Sequence, residues 1–264
     1  MKIRYLLLWI LVVNSLFAKE FSSRYDVVVT LFEKVGYADL ILKEDEKNYE
    51  IKLTATTTGM AATLLKNRVE TFTSRGKIIN GKYLPDIFIK TRESNKRSRT
   101  QTYYFDHARK EIKFIEEKTK LVSRSSFDPS TLNISYKDVK ESSREEKMED
   151  EYIKDDSLTT YLNTKTNCNP KTKEYPLFAI GANNDKNSVL LSYLDKNRAT
   201  NLRSLEESDN LYNIHVEPFD KSDRIVDVLV ALDSDGILKE AFMGEIFWVG
   251  KISLNRVYHK IIHN

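Results

Sequence analysis

Cysteine, proline and glycine are scarce in this chain, which contains 1, 5 and 8 of them among 264 residues. A lone cysteine, Cys168, cannot form an intramolecular disulfide, so a folded domain here must be held together by its core. Glycine and proline interrupt regular structure, and they are outnumbered by 14 tyrosines and 12 phenylalanines. This composition favours β-strands.

The chain also lacks a large excess of charge of one sign. Its 42 lysines and arginines stand against 39 aspartates and glutamates, and two of the basic residues, Lys2 and Arg4, lie in a segment that we expect to be removed. Proteins that bind nucleic acid usually carry a basic footprint that neutralises phosphates. We therefore expect no nucleic-acid partner.

Motifs for catalysis or metal binding are missing as well: the sequence has no glycine-rich phosphate loop, nucleophile elbow, HExxH or CxxC. His259 and His263 have the spacing of ligands on a helix, but we expect a frayed tail there, which favours a plain basic terminus over zinc. The DSDG sequence at 233–236 is interpreted as a turn and not as a calcium loop, because apolar residues follow it directly. Cys168 has no base near it in the sequence. The expectation is a protein that is not an enzyme and has no metal or cofactor.

One apolar run stands out at the start of the chain. Lys2 and Arg4 precede the run at residues 5–13, and Ser15 and Ala18 follow it, which is the layout of a secretory signal peptide. We interpret residues 1–18 as that peptide, cleaved after Ala18. The alternative is an uncleaved anchor, but the run is shorter than the roughly 20 apolar residues that span a bilayer.

The most informative stretch is residues 48–85. Residues 49–55 alternate apolar and polar side chains, as a strand with one solvated face does. Gly59 ends this pattern, and residues 60–65 form an apolar run suited to one or two helical turns. A second strand-like run at 69–73 leads to Asn80-Gly81, a dipeptide typical of tight hairpin turns. We predict a strand, a short apolar helix, a strand, a turn and a strand.

The remainder of residues 19–264 predicts a single β-rich domain. Gly36 and Ala38 interrupt the first strand pattern, which indicates a hairpin or a bulged strand. Residues 137–156 are almost entirely charged or small and polar, so we expect an exposed insertion without stable structure. A short helix is predicted around Leu158, Tyr161 and Leu162. Further strands are predicted at 25–32, 39–43, 87–90, 102–106, 112–122, 175–180, 188–194, 211–217, 224–233, 237–243, 246–249 and 252–257, and their short connections imply antiparallel pairing.

Five basic residues cluster in the hairpin predicted after Pro85. They are Lys90, Arg92, Lys96, Arg97 and Arg99. One interpretation is a contact for anionic lipid headgroups or an acidic partner, made by Arg92, Lys96, Arg97 and Arg99. The other, which the pattern favours, is a solvated hairpin end that resists edge aggregation.

Three stretches of the sequence resemble the bacterial envelope family called domain of unknown function 3108. They read YDVVVTLFEKVGYADLIL from Tyr25, TTTGMAATLLKNRVETFTSRGKIINGKYLPDIFI from Thr56, and VDVLVALDSDGILKEAF from Val226. The Gly36 and Ala38 spacing, the Thr58-Gly59 step and the Tyr104-Phe105-Asp106 end add to the resemblance, whereas residues 123–187 match poorly.

The resemblance implies an exported, periplasmic protein that is loosely similar to periplasmic lipoprotein carriers. Together with the strand pattern, it gives a fold that is mainly β, a curved antiparallel sheet or incomplete β-barrel with one or two short helices. It implies no reaction, because none is assigned to the family.

Two functional hypotheses follow. In the first, the protein is a binding module for an apolar or lipid-like ligand, with Met60, Leu64 and Leu65 closing an apolar sheet face over it; these side chains could equally plug the core. In the second, it is an envelope scaffold that contacts a protein partner through the basic hairpin and residues 137–156. A hydrolase would need a site that the sequence does not reveal.

We expect the exported protein to begin at Lys19, because the small side chain of Ala18 suits the residue before a cleavage site. N-terminal sequencing of protein from the envelope fraction measures the start. An intact leader that holds the protein in the membrane would contradict this prediction.

Overall fold

A computed structural model describes residues 19–167, 174–181, 188–206, 209–216, 226–246 and 250–263. The predicted signal peptide and Cys168 lie outside these residues. Among the described residues, no helix has the length and apolar character needed to cross a bilayer.

Strands dominate the described chain. They are β1 Lys19–Val29, β2 Glu33–Glu44, β3 Asn48–Thr57, β4 Val69–Ile79, β5 Lys82–Ser94, β6 Arg97–Asp106, β7 Glu111–Asp128, β8 Asn133–Met148, β9 Glu174–Phe178, β10 Ser188–Tyr193, β11 Asn210–Val216, β12 Val226–Leu232, β13 Leu238–Ile246 and β14 Gly250–His263. Two α-helices accompany them, α1 Gly59–Leu64 and α2 Ser157–Asn167, with a 3-10 turn at Lys196–Arg198.

The fourteen strands form one open antiparallel sheet in the order β8-β7-β6-β5-β4-β3-β2-β1-β14-β13-β12-β11-β10-β9. Consecutive strands pair within a first meander, β1–β8, and a second, β9–β14, while β8 and β9 are the two edges. The pairing of β1 with β14 joins the two meanders into one sheet. The predicted antiparallel, mainly β fold is confirmed. Helix α2 follows one edge strand, β8, and precedes the other, β9.

Local sequence explains the hairpins of the first meander. Asn80 and Gly81 both have positive φ, 51° and 74°, and they alone connect β4 to β5, as the predicted two-residue turn requires. The interruption predicted at Gly36 is a bulge within β2, where Val27 pairs with Gly36 but Val28 pairs with Lys34. A Cβ at Gly36 would lie 2.4 Å from the Thr56 carbonyl oxygen, so this close strand approach depends on glycine.

Helix α2 shows that the sheet is strongly curved. The Tyr161 hydroxyl accepts a hydrogen bond from the Leu238 N–H of β13 at 2.8 Å, and the Asn163 amide bonds both backbone groups of Tyr83 in β5 at 3.0 and 2.9 Å. In a flat sheet, β5 and β13 would be six strand spacings apart, about 29 Å. Because residues only two positions apart on one helix reach both strands, the sheet must wrap around α2.

We call the face toward α2 the inner face. Its apolar core includes Tyr25, Ile51, Phe88 and Ile112 from the sheet and Leu158 from the helix, all of them buried. Alternation along each strand places these side chains on one side of the sheet. The helix predicted around Leu158 is confirmed, and it covers the part of the inner face that carries this core.

A buried carboxyl group fixes the start of α2. Asp156 accepts hydrogen bonds from the Leu158 and Thr159 N–H groups at 2.8 and 2.9 Å and from the Ser74 hydroxyl of β4 at 2.6 Å. It therefore caps the helix and ties it to the sheet. Burial raises the pKa of Asp156 to about 6, although these hydrogen bonds act in the opposite direction.

The prediction of an unstructured insertion at 137–156 is wrong. Most of this segment belongs to β8, which is exposed along its length and pairs with β7 throughout. Its charges lie on both faces of the strand, and several meet opposite charges on β7, as in Arg144 with Glu117 at 3.0 Å and Lys113 with Glu146 at 2.5 Å. Cross-strand pairing of this kind supports a strand that buries little apolar surface.

The predicted frayed tail is also wrong. Residues 259–263 complete β14 in the middle of the sheet, opposite the first residues of β1. The Nδ1 atom of His259 lies 2.7 Å from the Ser23 hydroxyl, and its ring stacks on Phe21. The strand partner is more than 230 residues away in sequence, so the tail's local composition did not reveal it.

The buried Asp156 predicts how stability depends on pH. Since the folded state raises its pKa, the carboxyl group binds protons more readily when folded, and the stability this contributes is lost as the pH rises from about 4 through 6. Relative to Asp156→Asn, the wild-type free energy of unfolding should fall by about 1 kcal/mol between about pH 5 and pH 7. Urea unfolding at both values measures it, with the exposed Asp150→Asn as control for the lost charge. Parallel pH profiles for wild type and Asp156→Asn would contradict the assignment.

Candidate functional site

Strand register arranges the inner face of β4–β8 in rows that run across the strands. The row nearest α2 is largely apolar and contains Ser74, Phe88, Tyr103 and Phe114. The next rows toward α1 are largely charged. They read Phe72, Lys90, Gln101, Glu116; then Glu70, Arg92, Arg99, Lys118; then Ser94, Arg97, Lys120, Glu141. The inner face thus changes from core to charged surface along the same strands.

The second and third rows contain ion pairs. Glu116, whose side chain is 5% exposed, pairs with Arg99 and Lys118 and accepts a hydrogen bond from Gln101 at 3.1 Å. Burial opposes its ionisation, but the hydrogen bonds from Lys118 and Arg99 outweigh burial and lower the pKa of Glu116. These pairs offset part of the positive charge of the rows.

Glu70 offsets part of the positive charge in the next row. It pairs with Arg92 at 2.8 Å and with Arg68 at 3.2 Å. Beside it, the ammonium group of Lys90 lies 5.5 Å from the centre of the Phe72 ring. Burial, together with the nearby guanidinium of Arg92, lowers the pKa of Lys90, and Glu70 opposes this effect. Positive charge is therefore crowded at this level of the sheet.

A cleft of about 920 Å³ lies over these rows, between α1 and the hairpin of β7 and β8. Its lining is strongly basic, with a single carboxylate, Glu141. The basic residues are Lys66, Arg68, Arg92, Lys96, Arg97, Arg99, Lys118 and Lys120, and the apolar ones are Leu64, Leu65 and Leu121. The cleft therefore combines an electropositive wall with three leucine side chains.

Half of these cations have no carboxylate partner within the described part of the chain. They are Lys66, Lys96, Arg97 and Lys120, whereas the other four pair with Glu70 or Glu116. The carboxylate of Glu141 pairs with Arg124 at 2.7 Å. The cleft consequently holds uncompensated positive charge, which favours an anionic ligand.

The structure brings together the two groups of site residues predicted from the sequence. Leu64 and Leu65 line the same cleft as Arg92, Lys96, Arg97 and Arg99. The hairpin tip is shorter than expected, because β5 ends at Ser94 and β6 begins at Arg97. Arg92, Arg97 and Arg99 therefore lie on strands and Lys96 lies in the turn between them; all four are exposed to solvent and line the cleft.

Helix α1 does not close the inner face or plug the core. Met60, Leu64 and Leu65 are 67%, 69% and 45% exposed, and α1 has no buried residue. Helix α2 covers the core instead, as described above, and Met60 lies outside the cleft lining. The apolar run at 60–65 is short and has polar flanks, whereas α2 contacts both halves of the sheet. Helix α2 is therefore the one that covers the core.

Sequence reasoning missed Lys66, Arg68, Lys118 and Lys120, which join the cleft through strand register and the turn after α1. A weak signal was present, since Glu116, Lys118 and Lys120 recur with the strand period of two. Which face of β7 they occupy depends on pairing with β6, which the local pattern does not determine.

The histidines that the structure describes have structural partners. The ring nitrogens of His107 lie 2.6 Å from the Tyr152 hydroxyl and 2.6 Å from the Pro85 carbonyl oxygen. His215 pairs with Asp227 at 2.5 Å. In the described ranges, no group of three or more His, Cys, Asp or Glu residues is placed to hold a metal ion.

Comparison with known proteins agrees with the family resemblance. The family model for "Protein of unknown function (DUF3108)" matches residues 24–137, from β1 into β8, and so includes most of the cleft lining. No curated protein matches the chain significantly. A similar solved structure is the "Beta-barrel-like Protein of Domain of Unknown Function DUF1849 from Brucella abortus", at 10% identity and a TM-score of 0.40, covering 94% of this chain and 99% of that one.

Removing the buried carboxylate should destabilise the floor of the cleft. In Glu116→Gln, Arg99 and Lys118 lose their common partner, and the partly exposed cations limit the loss of stability to about 1–2 kcal/mol. The control is Glu117→Gln on the opposite face, which removes only an exposed pair with Arg144 and should cost less than about 1 kcal/mol. Chemical denaturation measures both variants. Equal stability of the two would show that the buried pairs do not support this part of the sheet.

Proposed function

We propose that the protein is a non-catalytic binding module for an amphipathic anion, a lipid-like molecule with an anionic head and an apolar chain. The observation that supports this most is the cleft, where four cations without a carboxylate partner among the described residues adjoin exposed leucine side chains. A ligand that has both an anionic group and an apolar chain is complementary to this lining.

Arg97 and Lys120 are the best candidates for contacts with the head group. They lie opposite each other in the strand register, in the row nearest the mouth of the cleft. A guanidinium group can bind a phosphate or carboxylate through two parallel hydrogen bonds, and an ammonium group adds a point charge. Lys66 and Lys96 lie along the same cleft and add to its positive potential.

Leu64, Leu65 and Leu121 supply the apolar part of the lining. Their side chains are more than a third exposed, so an apolar chain lying against them would remove surface from water on both molecules. The cleft volume falls within the range of roughly 300–1,000 Å³ that small-molecule sites occupy. It therefore suits a head group and part of an acyl chain.

Binding is favoured over catalysis because the lining offers little chemistry. Its described residues include no histidine or cysteine, and its single carboxylate is paired with Arg124. The lining contains serines and lysines, but none of the described hydrogen bonds joins a lining hydroxyl to a lysine, as a nucleophile and its general base would require. Export to the periplasm is part of the proposal, because a lipid-like anion is abundant in a cell envelope.

Reversing two charges should abolish recognition of the head group. We expect Arg97→Glu with Lys120→Glu to bind dihexanoyl phosphatidylglycerol, a lipid that is monomeric at low concentration, at least about 30-fold more weakly than wild type. Isothermal titration calorimetry measures the affinity. The wild-type affinity should also fall as salt rises from about 50 to about 500 mM, because the attraction is electrostatic.

The matched control is Lys52→Glu with Lys77→Glu, two exposed lysines on the outer face, so the net charge change is the same. Dihexanoyl phosphatidylcholine, which has the same chains and no net charge, serves as the ligand control. Wild-type affinity in the cleft variant would refute the proposal. A protein partner trapped by crosslinking, with no bound lipid in native mass spectrometry, would favour the envelope scaffold instead.

A further inference from the structure

Four alternate turns of the first meander lie along one rim of the sheet. In an antiparallel meander, the β1–β2, β3–β4, β5–β6 and β7–β8 connections all lie at the same strand ends. Backbone hydrogen bonds link them: Thr58 N–H to Val35 O at 2.8 Å, Asn95 N–H to Lys66 O at 3.0 Å, and Leu121 N–H to Lys96 O at 2.8 Å. The first three turns and the base of the β7–β8 hairpin are therefore neighbours in space, and the cleft lies among them.

This rim is rich in exposed apolar side chains. Leu31 and Phe32 lie in the first turn and Met60, Leu64 and Leu65 in or beside α1, while Phe127, Leu132, Ile134 and Tyr136 lie at the end of the β7–β8 hairpin; all are exposed. The turns of the opposite rim, at 45–47, 80–81 and 107–110, carry polar residues, a glycine and one alanine. Ile79 and Met148 are exposed at strand ends on that rim, so the two ends of the meander differ chiefly in their turns. We call the first the apolar rim.

The most prominent part of the apolar rim is a two-stranded arm. Lys120 is the last residue of β7 that pairs with β6, so residues 121–128 pair only with β8. At about 3.3 Å per residue, the arm extends about 26 Å beyond the sheet. Phe127 and Ile134 face each other near its tip, 58% and 59% exposed, and Leu132 and Tyr136 are 77% and 73% exposed.

Cations lie directly behind this apolar tip. Arg124, which pairs with Glu141, and Lys137 are opposite each other on the arm, and Lys120, Arg97 and Lys96, which have no carboxylate partner among the described residues, follow at its base. The acidic Asp138 between them accepts a hydrogen bond from the Ser123 hydroxyl. An apolar end followed by a belt of positive charge is the pattern of proteins that insert side chains into a bilayer interface with anionic lipids.

We propose that the apolar rim docks onto an anionic lipid bilayer, with the arm tip inserted at the interface. A bilayer suits this surface better than a protein partner does, because four side chains on a narrow tip cannot supply the roughly 800 Å² per partner of a stable protein interface. A fluid bilayer accepts apolar side chains at different heights, and its anionic headgroups match the basic belt. Docking requires only the rim, so it goes beyond the ligand binding proposed for the cleft.

Docking through the tip would hold the mouth of the cleft within about 26 Å of the lipid surface, which is the length of the arm. Leu64 and Leu65 belong both to the apolar rim and to the cleft lining. The rim would determine where the protein docks, and the cleft would determine which ligand is held.

The test compares binding of the full exported chain to vesicles of phosphatidylglycerol and phosphatidylcholine with binding to phosphatidylcholine alone. We expect flotation with the anionic vesicles, and a loss of at least about tenfold in affinity for Phe127→Ser with Ile134→Ser. The control, Ile79→Ser with Met148→Ser, removes similarly exposed apolar side chains at strand ends on the opposite rim and should bind like wild type. A tryptophan placed by Phe127→Trp should be quenched by brominated acyl chains.

Three outcomes would overturn the proposal. The first is equal vesicle binding by both double variants, and the second is an unquenched tryptophan. The third is a wild-type chain that does not bind vesicles but forms dimers, which become monomers in Phe127→Ser with Ile134→Ser. Titration with monomeric dihexanoyl phosphatidylglycerol separates this result from a failure of the cleft. The arm variant should keep the wild-type affinity for that monomer, because Phe127 and Ile134 lie outside the cleft lining.

Discussion

The packing of α2 against the inner face is the contact on which the rest of this structure depends. A curved sheet has one apolar face to remove from water, and α2 does this by bonding β5 through Asn163 and β13 through Tyr161. The helix covers only the rows that contain Ile51 and Phe88, so the rows nearer α1 stay open to solvent. The part of the inner face that α2 does not cover is in contact with water and is therefore polar, which accounts for the charged rows of the cleft.

Along the charged rows, the positive side chains near the core are paired with carboxylates, whereas those toward the mouth of the cleft are not. Close to the core, where desolvation of an isolated charge is costly, Glu116 and Glu70 pair with the arginines and lysines around them. Toward the mouth, where water screens the charges, Arg97 and Lys120 need no internal partner and have none among the described residues. The same face can therefore be stable as part of the sheet and still present positive charge to an incoming anion.

Sequence patterns predicted what is local and missed what depends on distant pairing. The alternation at 49–55 and the Asn80-Gly81 turn carry their own structural information, and β3, β4 and β5 form as predicted. The polar composition of 137–148 suggested disorder, because the opposite charges that stabilise it as a strand lie on β7. Likewise, the basic cluster at 92–99 was visible, but Lys118 and Lys120 join it only through the register of β6 with β7. The covering of the core was assigned to residues 60–65 because nothing local shows that α2 reaches both halves of the sheet.

The β7–β8 hairpin shows why the apolar tip is better explained by a contact than by chance. An edge strand exposes unpaired backbone groups, and the dense charges of β8 from Lys137 to Lys147 oppose pairing with another chain there. A few residues away, the same hairpin presents Phe127, Ile134 and Tyr136 to solvent without such protection. Exposed apolar side chains promote association, so a hairpin guarded along its edge would gain solubility from polar residues at its tip as well. The concentration of exposed apolar side chains at the tip, with basic residues between it and the cleft, fits the proposed contact with lipid.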